Sequence, residues 1–374
     1  MSGGVDSSVA AALLKRDGWE VVGAFMRLGS VGEELDAPRG HSTTRAPGGS
    51  LRLKIAHRGC CSIEDAHDAR AVAAQLDIPF YVLNFKSDFA RVIDQFVGEY
   101  AAGRTPNPCV RCNNWLKFGR LREHARQIGA SHVASGHYAQ AESIGDAPAL
   151  SRGVDHDKDQ SYVLFGTPLD ELGSTLYPVG GLPKSRVREL AREFNLPVSE
   201  KPDSQEICFV PDDDYAGLVE RMRPETVRPG ELRHIDGRVL GEHGGQHRFT
   251  VGQRRGIKIA SSEPLYVIAR DAASNVVTVG PREALAATGL VAGDANWLID
   301  PPTQWRPVHA CVRYHSTPTA ARVRVRSDDP SRFEVEFDQP QGAVSPGQAC
   351  VLYDGDRVLG GGWIHSSADC APHA

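Results

Sequence analysis

The sequence predicts an α/β protein in which a parallel-sheet first half gives way to smaller β-rich domains. Three observations carry this. Apolar strand-like runs alternate with helical patterns through the first half, at the pace a parallel sheet covered on both faces demands. After about Glu200 the helical periodicity fades, and short β-rich runs separated by Gly, Pro and Asp take over, as in small antiparallel sheets or a barrel. Finally, 374 residues suffice for two or three domains, each burying its own core.

Taken in order, Ser7 to Lys15 reads as a helix, with Val9, Leu13 and Leu14 spaced for one face. Trp19 to Met26 has a buried-strand pattern. Gly29 to Lys54 is rich in Gly, Ser, Pro and Arg without periodicity and reads as a surface insertion. Ser62 can cap a helix whose inner face is Ala66, Ala69, Val72, Ala73 and Leu76, with Asp65 three residues after the cap. A strand follows over Ile78 to Phe85, and a helix over Asp88 to Tyr100. A further helix over Asn113 to Ile128 leads into a short strand, His132 to Ser135. Beyond residue 200 the strand candidates are Arg238–Leu240, Leu265–Ala269, Val276–Val279, Ala321–Val325, Phe333–Phe337 and Ala349–Tyr353. These shifts divide the chain into residues 1–199, 200–273 and 274–374. The polar tail after Ile364 is expected to fray.

Composition excludes several classes. No apolar run is long enough to cross a bilayer, and no basic-then-apolar signal opens the chain, so a cytoplasmic location without membrane association is the default expectation. Eight cysteines without a secretory signal point to catalytic, metal-binding or buried thiols rather than a disulfide framework. A formal net charge of −5 argues mildly against a nucleic-acid binder. RNA contact would therefore rely on local basic patches, such as Arg104, Arg111, Lys117, Arg120 and Arg122, or Arg254-Arg255.

The first chemical motif is Ser2-Gly3-Gly4-Val5-Asp6-Ser7-Ser8, directly before a helix. Adjacent glycines let the backbone turn tightly and aim several N–H groups at a phosphate, while serine hydroxyls and the helix N-terminus add to the attraction. Asp6 belongs in such a site if Mg²⁺ stands between it and the phosphates. The Gly-Lys-Ser/Thr ending of a γ-phosphate-transfer loop is missing. The motif is similar to the PP-loop of the ATP pyrophosphatase superfamily, whose members cleave ATP to AMP and pyrophosphate while adenylating a substrate. Such loops follow the first strand of their sheet. Here the chain starts at the loop, so that strand is expected upstream of Met1 or not at all.

The second motif is the cysteine set. Cys109 and Cys112 form a Cys-x-x-Cys unit in the stiff loop from Gly103 to Asn113, which holds Pro106 and Pro108, with a helix expected at its end. A thiol beside that helix start, flanked by Arg104 and Arg111, would be partly thiolate at neutral pH. Cys208 lies in Lys201-Pro202-Asp203-Ser204-Gln205-Glu206-Ile207-Cys208-Phe209. A thiolate can carry a sulfane sulfur as persulfide, and a second thiol can release it as a disulfide closes. Two metal readings compete. Cys-x-x-Cys can be half of a zinc site, although no second pair stands at ligand spacing. Cys109, Cys112 and Cys208 could also hold an iron–sulfur cluster. Cys311, Cys350 and Cys370 read as buried packing thiols, and Cys60-Cys61 receives no role.

Together these motifs resemble one family, the bacterial tRNA-specific 2-thiouridylases, which thiolate the wobble uridine of tRNA. The resemblance runs from residue 2 to about 363. It adds Ser135-Gly136-His137-Tyr138-Ala139, Lys158-Asp159-Gln160-Ser161-Tyr162, Gly252-Gln253-Arg254-Arg255-Gly256 and Pro346-Gly347-Gln348 to the loops above. It implies a PP-loop domain, a small central domain and a C-terminal β-barrel. It implies that Ser2, Gly3, Gly4, Val5, Asp6, Ser7 and Ser8 bind ATP, with Met26 and Gly136 near the adenine or ribose. It makes Cys208 the persulfide carrier and Cys112 the thiol that frees the sulfur through a Cys112–Cys208 disulfide. Asn107 and Pro108 match positions that meet the target base, followed by Cys109 where the family often has Asp. His137, Lys158, Asp159, Gln160, Arg313, Tyr314 and Gln348 match tRNA contacts. The implied partners are tRNAs of the wobble-uridine Lys, Glu and Gln type and a persulfide donor or relay protein. Two other readings stand beside this one: a PP-loop enzyme adenylating a small molecule, and a non-catalytic RNA-binding protein.

Overall fold

Helix α1 (Val5–Arg16) follows the glycine pair at once and buries Val9 and Leu13, two of the three residues whose spacing predicted it. The computed structural model describes residues 1–29, 63–145, 147–203, 207–210 and 214–369. Most of the expected 29–54 insertion, and with it Ser62, Cys60, Cys61 and Cys370, lies outside the described residues. The chain separates into two units, residues 1–90 with 185–214, and residues 91–184 with 215–374.

In the first unit, β1 (Gly23–Arg27) pairs in parallel with β2 (Phe80–Asn84), Gly23 opposite Phe80 and Arg27 opposite Asn84. Helix α2 (Ile63–Gln75) connects them and buries Ala69, Val72 and Ala73. This is the strand–helix–strand crossover that the alternating pattern predicts. Helix α3 (Lys86–Ala101) begins in this unit, two residues before the Asp88 start expected from its apolar periodicity.

In the second unit the helical stretch starts at Pro108, not at Asn113. Asn107 caps α4 (Pro108–Cys112) and Pro108 takes the first helical position, where its missing N–H costs nothing. The helix then widens into a π-helical segment, Asn113–Arg120, before α5 (Leu121–Gln127). The parallel pair β3 (Val133–Ala134) and β6 (Thr175–Leu176) follows, with the hairpin β4 (Ala139–Ile144) and β5 (Ala147–Arg152) between them in sequence.

The C-terminal region forms a closed six-stranded barrel. Its strands are β11 (Ala286–Trp297), β12 (Arg306–Cys311), β13 (Thr319–Val325), β14 (Arg332–Gly342), β15 (Ala349–Asp354) and β16 (Arg357–Asp369). They run in the order β11-β14-β13-β12-β15-β16, and β16 pairs back onto β11. Phe333, Val323, Val335, Leu352 and Leu359 fill the interior. A smaller four-stranded sheet has the order β8 (Val239–His243), β7 (Gly230–His234), β10 (Val276–Gly280), β9 (Tyr266–Asp271), over a core of Leu232, Phe249, Val267, Val277 and Val279. Three barrel strands, β11, β12 and β16, went unread in the sequence because glycines, prolines and polar residues interrupt their alternation.

Candidate functional site

The phosphate loop is built by backbone constraint. Gly3 has φ +73°, and a Cβ there would collide with the backbone carbonyl of Asp65 on α2, so only glycine fits. Gly4 caps α1 in an extended conformation with no side-chain hydrogen bond to the first turn. The positive potential of a helix N-terminus is thus not offset by a side-chain cap at Gly4. Ser2 N–H donates to Ser7 Oγ at 3.1 Å, and Ser8 Oγ donates to the Gly4 carbonyl at 2.8 Å, fixing the turn from both ends. Asp6 is half-buried in the first helical turn, Val5 is buried, and Met26 is half-buried on β1. The N-terminal ammonium of Met1 donates to the Ala24 carbonyl on β1.

Sequence reading missed the cation of this region. Lys201 Nζ donates to the Gly3 carbonyl at 3.0 Å, to Asp65 Oδ1 at 2.7 Å and to Asp68 Oδ2 at 2.6 Å. Asp65, read only as a capping partner, is thus a ligand of Lys201. The signal was present, since Lys201 opens the motif that holds Cys208.

The loop 103–107 of the second unit is gripped on several sides. Thr105 N–H donates to the Pro346 carbonyl at 2.8 Å, and Gln348 Nε2 donates to the carbonyls of Thr105 and Pro106 at 3.0 and 3.3 Å. Gly347, at φ +89°, leaves room for Thr105 where a Cβ would sit 3.0 Å from its backbone. Arg270 on β9 donates to Thr105 Oγ1 at 2.9 Å and to the Phe249 carbonyl at 2.7 Å. Burial pulls this guanidinium down to about 10, partly offset by Tyr100 and Tyr215, so it remains charged at neutral pH. Asn107 and Pro108 are buried and Cys109 is exposed at the start of α4. Beside this loop lies a cleft of about 360 Å³ lined by Thr105, Thr250, Gly252, Gln253, Arg313 and Gln348. Residues of three separate motifs thus converge there, together with the exposed Arg313.

The remaining predicted positions cluster in the same unit. Tyr314 hydrogen-bonds Gln160 and lies near Cys109; burial, before all else, pushes the phenol up to about 12. Gln160 also accepts from Tyr138 N–H at 3.0 Å. Asp159 turns inward: it accepts from Arg152 Nε and Gly153 N–H at 3.0 Å, Ser161 N–H at 3.1 Å and Ser161 Oγ at 2.9 Å. Lys158 is half-buried, its N–H donating to the Asp155 carbonyl, and Gly136 is half-buried beside His137. His137 is buried, with Nε2 3.2 Å from Lys117 Nζ and Nδ1 2.7 Å from Ser135 Oγ. Burial, and then the Lys117 ammonium, hold it well below the usual imidazole range.

Cys112 ends α4 in the second unit and Cys208 belongs to the first; both are half-buried. The arginines expected to flank the thiols are otherwise engaged. Arg104 forms a two-point ion pair with Glu99, at 2.5 and 2.7 Å. Arg111 lies 4.0 Å from the Trp363 ring centre and 5.4 Å from that of Trp115. The sequence reading placed the cations correctly along the chain but not their partners. Cys311 and Cys350 are buried, as expected of packing thiols, and burial raises both. Among the described residues no three His, Cys, Asp or Glu side chains are grouped as a metal site.

Comparison with known proteins extends this picture. A family model described as "tRNA methyl transferase HUP domain" matches residues 1–212, a "tRNA methyl transferase PRC-barrel domain" matches 218–281, and an "Aminomethyltransferase beta-barrel domain" matches 287–364. The tRNA-specific 2-thiouridylase MnmA of Geotalea uraniireducens is 47% identical, covering 99% of this chain and 94% of that one. Its namesakes from Geobacter metallireducens and Rhodopirellula baltica are 48% and 45% identical, covering 98% and 99% of this chain and 96% of each relative. The domain labels speak of methyl transfer, but relatives this similar over nearly their whole length carry the thiouridylase name. The chain belongs to the tRNA-specific 2-thiouridylase family.

Proposed function

We propose that this chain is an ATP-dependent tRNA-uridine 2-sulfurtransferase, giving 2-thiouridine, AMP and pyrophosphate. The observation that carries this reading is the Ser2–Ser8 loop at the uncapped start of α1, in a chain of this family with thiols at 109, 112 and 208. A loop that admits only glycine at position 3, and whose helix start lacks a side-chain cap, fits a polyphosphate. Ser2, Gly3, Gly4, Val5, Ser7 and Ser8 would cradle it, with Met26 and Gly136 toward the nucleoside. Asp6 would hold Mg²⁺, which is commonly bound by one or two carboxylates plus substrate phosphates and would screen the charge of departing pyrophosphate.

In this scheme the uridine C2 oxygen attacks the α-phosphorus of ATP and pyrophosphate leaves, turning a poor leaving group into AMP. The terminal sulfur of a Cys208 persulfide attacks C2, and AMP departs. The Cys112 thiolate then attacks Cys208 Sγ, the sulfur–sulfur bond to the nucleoside breaks, and a Cys112–Cys208 disulfide remains beside the thione. Asn107, Pro108 and Cys109 form the rigid edge that meets the base, which must leave its stack to react. His137, Lys158, Gln160, Arg313 and Tyr314 supply tRNA contacts. Asp159, held by Arg152, Gly153 and Ser161, and Gln348, whose amide holds Thr105 and Pro106, act by shaping that surface. The tRNA set is of the Lys, Glu and Gln type, the sulfur comes from a persulfide donor or relay protein, and the setting is the cytoplasm. We assign the functional domains to residues 1–199, 200–273 and 274–374.

The test is mass spectrometry of tRNA incubated with ATP, a persulfide donor and the purified chain. Wild type is expected to form 2-thiouridine and Cys208→Ser to form none. Full product from Cys208→Ser would overturn the assignment, and ATP–pyrophosphate exchange independent of tRNA would favour a small-molecule acceptor.

A further inference from the structure

Lys201 ties the phosphate loop of the first unit to α2. Its ammonium satisfies three acceptors at once: the Gly3 carbonyl of the phosphate loop and the carboxylates of Asp65 and Asp68 on α2. Burial would lower its pKa, but the two carboxylates outweigh that, so it is a firm positive charge. Seven positions further along the chain is Cys208. The stretch between them is anchored at its start by Arg188, which donates to the carbonyls of Ser199 and Lys201 and to Asp203 Oδ1 at 2.7 Å. On the far side of Cys208, Phe209 is buried edge-on against Phe89, with ring centres 5.5 Å apart.

Two physical consequences follow. First, two carboxylates stand behind a loop built for polyanions, and without a counterion they would repel the phosphates. Lys201 neutralises one of them and at the same time fixes the carbonyl of the strained Gly3. Second, the chain seven positions before Cys208 is bonded to the phosphate loop through the Lys201 side chain. We infer that Lys201 is a positioning residue that couples nucleotide binding at the phosphate loop to the placement of the Cys208 thiol. This rests on the sulfur-transfer reading only in treating Cys208 as the carrier.

The experiment uses the full chain without tRNA: Cys208 alkylation by iodoacetamide, resolved by peptide mass spectrometry, with and without saturating ATP and Mg²⁺. Alongside it, the KM for ATP and kcat are measured in the thiolation assay. For wild type, ATP is expected to change the Cys208 alkylation rate about fivefold or more, the lower range of a measurable coupling. Lys201→Met should abolish that response and raise the KM for ATP about tenfold, with a smaller change in kcat. Lys201→Arg, which keeps a charge able to bridge two carboxylates, should restore both. Should Lys201→Met fold poorly, Lys201→Met/Asp68→Asn restores the net charge of the wild-type cluster, and should recover the KM without recovering the ATP response. A wild-type alkylation rate indifferent to ATP, or a Lys201→Met protein that keeps the wild-type response and KM, would overturn the proposal. Because alkylation needs no tRNA or sulfur donor, either result leaves the 2-thiouridine assay to stand or fall separately.

Discussion

His137 is a buried imidazole facing an ammonium, and its charge state decides how it can act. Burial and Lys117 both disfavour the imidazolium, so the folded chain holds the ring neutral through the physiological range. In the unfolded chain the same ring titrates near its ordinary value of about 6.5. Above that pH neither state binds the proton and stability is unaffected. As pH falls through it, the unfolded state gains a proton that the folded state refuses, and stability is lost at up to about 1.4 kcal/mol per pH unit. Acidification from pH 7.5 to 5.5 is therefore expected to lower the wild-type Tm more steeply than that of His137→Gln, which has nothing to protonate. Parallel curves for the two proteins would refute this. A neutral ring also means that any tRNA contact by His137 is a hydrogen bond rather than a phosphate ion pair.

At the scale of elements, what was legible in the sequence follows from how locally each feature is determined. Helix α1 and the crossover β1–α2–β2 were readable because apolar periodicity and burial coincide, as at Val9 and Leu13 or Ala69 and Val72. The helix from Pro108 was misjudged by five residues because Pro106 and Pro108 look like breakers, whereas the second sits where a helix accepts proline. The π-helical turn at Asn113–Arg120 had no local signal; the Asn113 amide donates to the Val163 carbonyl, fifty residues away. A long-range partner also explains why Arg270 stands out as a site residue only in the fold, since nothing near it in sequence announces an acceptor. Arg270→Met leaves the Phe249 carbonyl and Thr105 hydroxyl without their donor inside the protein, at a cost of about 2 kcal/mol. Urea denaturation should show the lower midpoint, and the thiolation assay should show KM for tRNA rising more than KM for ATP. Equal effects on both would mean that the loop 103–107 does not depend on this anchor.

For the molecule as a whole, the difficulty is charge. A chain of net charge −5 is proposed to bind a polyanion, so its attraction must come from a few local cations rather than from the overall field. Many of its arginines are already spent: Arg104 on Glu99, Arg122 on Glu171, Arg186 on Glu193, Arg322 on Glu336 and Arg324 on Glu334. Arg313, exposed beside the 360 Å³ cleft, and the exposed pair Arg254-Arg255 lie on the unit that presents the candidate target-base loop. A small set of phosphate contacts predicts a shallow salt dependence, because each neutralised phosphate contributes slightly less than one to the slope of log K against log salt. Replacing Arg313 with Gln should reduce that slope by about one and weaken binding of all cognate tRNAs alike, as expected for a backbone contact. Filter binding of tRNA across a salt series, with wild type, Arg313→Gln and Arg254→Gln/Arg255→Gln compared, measures this directly. A slope unchanged in Arg313→Gln, or an effect confined to one tRNA, would remove Arg313 from the phosphate-binding face and leave that role to the loop at 252–256.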